Sequence, residues 1–167
     1  MSYVYKSDNK IISVSEEQLA GFEYDPRSVV RGYDGCLYFE DEVPEPELSF
    51  VKEQARAALK AHRKSIEYGG VVIDGQRWDT EVKDELRLLE RIVLSSSGEL
   101  DTVDWKVADG VYVKLTSEKL SSVVAAFTEH FTKCFAIEQS KLAELDALET
   151  VQAVQNWQKT SMLEGWD

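Results

Sequence analysis

The chain has 167 residues, enough for one domain or for one domain with a small appendage. At 43% hydrophobic and 30% charged it can bury a real core, and its longest apolar runs are too short to span a bilayer. Its net charge of −12, from 31 acids against 19 bases, argues against a nucleic-acid partner, because such binding rests on neutralising phosphates with Lys and Arg.

The bases cluster only modestly, at Lys60-Ala61-His62-Arg63-Lys64, which on a helix reads as a solvated face. The start, Met1 to Lys6, shows no apolar run behind a basic stretch, so no signal peptide is expected. The cysteines, Cys36 and Cys134, stand far apart in apolar surroundings and read as two buried free thiols of a reducing compartment.

Tyr3-Val4-Tyr5 alternates with polar residues and predicts a strand, Asp8-Asn9-Lys10 a turn, and Ile11 to Val14 a second strand. Ser15-Glu16-Glu17-Gln18 has the spacing of a capping box and predicts a short helix that Gly21 stops. Gly32 to Gly35 is a turn, and Cys36 to Phe39 a third strand. Residues 1–43 thus form a small β-rich unit, marginal on its own by surface-to-volume scaling. The first 50 residues hold 11 acids and 4 bases, a net of −7. Two prolines among acids make residues 44–48 an extended linker.

A helix follows from Leu48 to Glu67, its stripe formed by Val51, Ala55, Ala58, His62 and Ile66. Asp74-Gly75 and Asp109-Gly110 each sit between short β-rich runs, the signal for a tight type I′ hairpin. Each hairpin carries a Trp, Trp78 or Trp105, expected in the core. Between them a helix from about Thr80 to Ser95 carries Val82, Leu86, Leu89 and Val93 at steps of 4, 3 and 4. The last helix starts near Ser117, with Leu120, Val124, Phe127, Phe131 and Cys134 as its stripe.

That stripe falters between Glu138 and Lys141 and resumes with Leu142, Leu145, Leu148, Val151 and Val154. No Pro or Gly interrupts residues 117–161. About 40 helical residues would span roughly 60 Å, more than the domain's width. Either the helix breaks near Glu138 to Ser140, or its second half projects onto another surface. On the second reading Leu142, Leu145, Leu148, Val151, Val154, Trp157 and Trp166 are partner-binding residues, with the two Trp as anchors. Residues 49–157 then form the helix–hairpin–helix–hairpin–long-helix domain, and residues 158–167 a polar tail.

Little else points to chemistry. His62 falls on an apolar stripe, and His130, between Glu129 and Phe131, reads as a surface residue. The two histidines are not at metal spacing, no Cys-x-x-Cys occurs, and Ser95-Ser96-Ser97-Gly98 lacks the geometry of a nucleophile elbow. The expectation is no enzyme, no catalytic or metal-binding residue and no cofactor.

One resemblance adds to this. The order Gly69-Gly70-Val71-Val72-Ile73-Asp74-Gly75-Gln76-Arg77-Trp78-Asp79-Thr80, helix, Val103-Asp104-Trp105-Lys106-Val107-Ala108-Asp109-Gly110-Val111-Tyr112-Val113-Lys114-Leu115-Thr116, long helix resembles a domain of tailed-phage proteins that are commonly encoded next to tail fibres. The start, Met1 to Lys10, is similar to the opening of phage tail-fibre assembly proteins. The resemblance implies a tail-fibre assembly chaperone in the host bacterial cytoplasm, with the fibre protein or a second copy of the chain as partner. The alternative is a permanent tail component, bound to fibre or baseplate and retained in the virion. The expected fold class is α+β: a β-rich N-terminal unit, then a helical domain with two β-hairpins and a long C-terminal helix.

Overall fold

A computed structural model describes residues 2–7, 9–98, 102–108 and 110–166. The fold is mixed α and β, an N-terminal antiparallel sheet followed by helices with a long helix near the C-terminus. The chain divides into two compact units, residues 1–47 and 48–167, and the divide falls within the Pro/Glu segment.

The first unit is a five-stranded sheet of β1 (Ser2–Ser7), β2 (Lys10–Ser15), β3 (Glu23–Asp25), β4 (Val29–Arg31) and β5 (Leu37–Phe39), in the order β3-β1-β2-β5-β4. Its described core is small: Val4, Ile11 and Phe39 are buried, with Val29 and Leu37 packed against them. Both edge strands have three residues, which limits the open hydrogen-bonding edge. The helix expected after Ser15 is absent. Residues 16–22 form bends and turns, and the Ser15 hydroxyl accepts from the Glu17 N–H (3.1 Å) in a local turn. A segment this short gains too few helical hydrogen bonds to offset nucleation and has no apolar stripe to bury. Strands β3 and β4 were not foreseen: three residues are too few for an alternation to register. Cys36 is exposed rather than buried, and both thiols are free.

The second unit begins with α1 (Leu48–Glu67). Its buried row is Val51, Ala55, Leu59, Arg63 and Glu67, a straight step of four, and not the row through Ala58, His62 and Ile66. The last two members are charged and so carry no hydrophobic signal. Next come the hairpin β6 (Val71–Ile73) and β7 (Gln76–Trp78), helix α2 (Val82–Ser96), and the hairpin β8 (Thr102–Lys106) and β9 (Tyr112–Thr116).

Asp74 (φ 51°) and Gly75 (φ 76°) both take the left-handed conformation, as a two-residue type I′ turn requires. The second hairpin is closed differently. The Gly110 N–H donates to the Val107 carbonyl, the Val107 N–H donates to the Val111 carbonyl (both 2.9 Å), and the loop runs from 107 to 111. It is longer than the two-residue turn that Asp109-Gly110 suggests; Asp109 itself lies outside the described residues. Trp78 is buried and stacks on Trp105, with ring centroids 6.4 Å apart.

Helix α3 (Ser117–Asp146) runs unbroken through Glu138 to Ser140. It stops at Ala147, and the Thr150 hydroxyl accepts from the Ala153 N–H (3.1 Å) to cap a new helix, α4 (Val151–Lys159). A single 3-10 turn, Ser161–Leu163, follows. The C-terminal segment does not project. Leu145, Val154, Trp157, Met162 and Trp166 are buried with Val51, Ala55, Leu59 and Cys134, and Leu142, Leu148 and Val151 pack against that cluster. The reason is the break in the helix between Asp146 and Val151, after which α4 packs against α1.

Candidate functional site

Helix α2 holds the least expected feature. Its stripe, Val82, Leu86, Leu89 and Val93, faces solvent with 54%, 62%, 55% and 60% of each residue exposed. The helix instead turns Asp84 and Leu88 inward, with Ile92 half-buried. Leu88 and Ile92 pack into the cluster of Trp78, Leu115, Leu120, Val123 and Phe127. The helix thus carries two apolar faces, and the domain covers one of them. A contiguous apolar surface of this kind marks an interaction site.

The uncovered face continues into a groove between α2 and α3. One hollow of about 300 Å³ is walled by Val82, Leu86 and Leu89 on α2 and by Val124, Phe127 and Phe131 on α3. Beyond Ile92 and Val124 a second hollow of about 510 Å³ opens between the last turn of α2 and the first turn of α3. There the hydroxyls of Ser95 and Ser117 are hydrogen-bonded to each other at 2.8 Å. Among the described residues lining these hollows there is no histidine or cysteine. The first hollow is lined mainly by apolar side chains, whereas Ser95, Ser96, Ser117 and Ser121 line half of the second.

The buried polar groups lie elsewhere and hold structure. Arg63 is buried beside Glu67, with Glu138 2.9 Å from its Nε and the ring of Phe135 4.6 Å from its guanidinium. Burial opposes the charge on Arg63, yet Glu138 and Glu67 hold its pKa above the ordinary arginine value. Thr80 is fully buried; its hydroxyl donates to the Glu67 carbonyl (2.6 Å) and accepts from the Gly70 N–H (3.0 Å). His130, read from sequence as a surface residue, is half-buried: its Nε2 lies 3.2 Å from both the Ile66 and Glu67 carbonyls. Together Thr80 and His130 satisfy backbone groups at the C-terminus of α1 that the helix leaves open. Burial pushes the Cys134 thiol above its ordinary pKa, away from nucleophilic character. His62 stands half-buried, edge-on to Trp166 with ring centroids 5.2 Å apart.

The residues read from sequence as a partner surface are brought together, but in the interior. The Trp157 Nε1–H donates to Glu144 (2.9 Å) and the Trp166 Nε1–H to the Met162 carbonyl (3.0 Å). Leu145 and Val154 have no exposed surface, and Leu142, Leu148 and Val151 are half-buried. This corrects the expectation that Leu142, Leu145, Leu148, Val151, Val154, Trp157 and Trp166 present themselves to another molecule. The signal for the exposed site was in the sequence as two adjacent apolar rows on one helix, Val82/Leu86/Leu89/Val93 beside Leu88/Ile92.

A family model described as a domain of unknown function, DUF4376, matches residues 50–158. The chain belongs to that family, whose matched segment holds nearly all of the helical unit and the whole α2–α3 groove. No curated protein and no solved structure matches the chain. Among the described residues no helix is long and apolar enough to cross a membrane.

Proposed function

We propose that this protein is an assembly chaperone for a phage tail fibre, and that the α2–α3 groove holds an apolar helical segment of the fibre until the fibre folds. The observation that carries the reading is the exposed row of Val82, Leu86, Leu89 and Val93. Steps of 4, 3 and 4 are those at which one helix accepts the side chains of another. The open groove beside α3 gives that second helix a seat two helices wide, the helix-in-groove mode of recognition. Covering such a segment keeps it from aggregating before assembly, and the chain's net charge of −12 keeps the complex in solution. The resemblance of roughly residues 49–150 and of the chain start to tail-associated proteins supports the fibre as the partner. The host bacterial cytoplasm, where fibres are made, is the corresponding location.

The test is co-expression of the fibre with the chain carrying Leu86→Gln and Leu89→Gln. The expected outcome is loss of fibre co-purification with a melting temperature close to that of the unmodified chain. Full retention of the fibre would place the contact outside the groove. Quantifying the protein in purified particles separates a transient chaperone from a permanent tail component.

A second reading has its own observation. If the α2 rows of two copies met antiparallel, Lys83 of each would stand beside Glu90 of the other; met parallel, Glu85 would oppose Glu90. The charges therefore favour an antiparallel pair. Light scattering on the isolated chain decides: a dimer that Leu86→Gln and Leu89→Gln dissociate supports self-association through this face.

A further inference from the structure

Residues 1–47 contain eleven acids and four bases, and all four bases, Lys6, Lys10, Arg27 and Arg31, line one hollow of about 390 Å³. The described acids among its walls are Asp34 and Glu42. So uneven a distribution, in the most acidic part of an acidic chain, brings its bases together around one hollow.

The strand register explains the shape. Lys6 pairs with Ile11, Ile11 with Leu37, and Leu37 with Arg31. These four residues form a row across β1, β2, β5 and β4, and residues paired in register stand on one face of a sheet. The row has a cation at each end and an apolar floor between them. At the interstrand spacing its ends are about 14 Å apart, and the Lys6 Nζ lies 4.8 Å from the centroid of the Phe39 ring, which also lines the hollow. Lys10 adds a third cation from the start of β2.

The acids nearby are already engaged. Asp25 and Glu42 hold Arg27 (2.9 and 2.6 Å), whose guanidinium lies 3.4 Å from the centroid of the Phe39 ring. The Asp34 carboxylate accepts from the Tyr38 hydroxyl (2.6 Å) and the Cys36 N–H (2.9 Å). Arg27 therefore braces the wall. Arg31 donates one N–H to the Gly35 carbonyl (2.5 Å) and has others to offer. Lys6 and Lys10 form no ion pair among the described residues.

We propose that this hollow binds an organic anion, a carboxylate or phosphate on a short apolar body. Lys6, Lys10 and Arg31 hold the oxyanion, and Ile11 and Leu37 support the apolar body. A volume of about 390 Å³ suits a small ligand or the last residues of a peptide. The same chemistry is offered by a free organic acid and by a polypeptide ending in an apolar residue with its C-terminal carboxylate.

The experiment is amide-resolved NMR on the full chain, titrated with hexanoate, hexylammonium, acetyl-Ala-Leu and acetyl-Ala-Leu-amide. Hexanoate is expected to shift amides of β1, β2, β4 and β5, and hexylammonium to leave them in place. Arg31→Gln and Lys6→Gln, each with a dispersed spectrum, are expected to weaken hexanoate by about tenfold, the loss of one charge-assisted hydrogen bond. Peptide acid bound more tightly than hexanoate, with the amide silent, identifies a polypeptide end; hexanoate bound more tightly identifies a free acid. Equal shifts from hexanoate and hexylammonium, or hexanoate affinity unchanged in both folded variants, would overturn the proposal.

Discussion

At the scale of single residues, backbone conformation and buried hydrogen bonds set the tolerance to change. A Cβ at Gly75 meets no other atom, so the cost of Gly75→Val is conformational: a β-branched residue held at φ 76°. We expect a loss of about 1–3 kcal/mol. Gly70 combines φ 91° with a Cβ position 2.7 Å from the Trp78 carbonyl oxygen, so Gly70→Ala is expected to cost more than Gly75→Val despite the smaller side chain. Denaturant melts of the two variants check the order, and an inverted order would show that the Gly70 turn relaxes freely. The Trp157–Glu144 hydrogen bond makes a pH-dependent contribution. The Trp157 indole, and then Lys141, hold Glu144 below its ordinary pKa of 4.5. A depressed carboxylate pKa stabilises the fold above the unfolded value, and that contribution is lost as pH falls through the folded value. Trp157→Phe should therefore be less stable than the unmodified chain near neutrality, with the gap narrowing below pH 4.5. A gap independent of pH would mean that ring packing alone distinguishes the two.

At the scale of elements, α2 and the α3–α4 pair exchange the roles that periodicity suggests for them. The row on α2 was legible in sequence, but periodicity says that a helix has an apolar face without saying what covers it. Leu88 and Ile92 compete with that row for the interior, and they win because they meet Trp78, Leu120 and Phe127. At the C-terminus the apolar residues find their surface within the chain. Truncation after Ser140 would remove Leu145, Val154, Trp157, Met162 and Trp166 from the cluster around Leu59. We expect the truncated chain to lose cooperative unfolding, because each large buried side chain contributes about 2–5 kcal/mol, comparable in sum to the whole stability of a domain. A truncated chain that melts cooperatively near the full-length temperature would show α4 to be dispensable. The bounds of α1, the β6–β7 turn and the start of α3 are legible in the sequence, because caps, glycines and dipeptides act locally. The helix end at Ala147 is not, since neither Pro nor Gly marks it.

At the scale of the whole molecule, two units of unequal core size share one chain. The first buries Val4, Ile11 and Phe39; the second holds two larger clusters. All four Trp belong to the second unit. Because stability scales with the apolar surface removed from water, the first unit is expected to unfold at lower denaturant. Far-UV circular dichroism should begin to change before Trp fluorescence does; coincident transitions would show the units to unfold as one.

The sequence by itself determined the class of the fold, the segment that divides the two units, the order hairpin, helix, hairpin, helix, and the local turn at Asp74-Gly75. These follow from short-range rules: φ preferences, capping hydroxyls and a period of 3.6 or 2 act over a few residues. Tertiary structure alone decided which apolar rows are covered. It gathered the four bases of the first unit around one hollow, Lys6 and Arg31 through a strand register that links residues far apart in sequence. It placed charged Arg63 and Glu67 on the buried row of α1, where Glu138 compensates the burial. It also folded the C-terminal segment inward and left α2 open, because burial depends on which surfaces meet, and no local pattern specifies that.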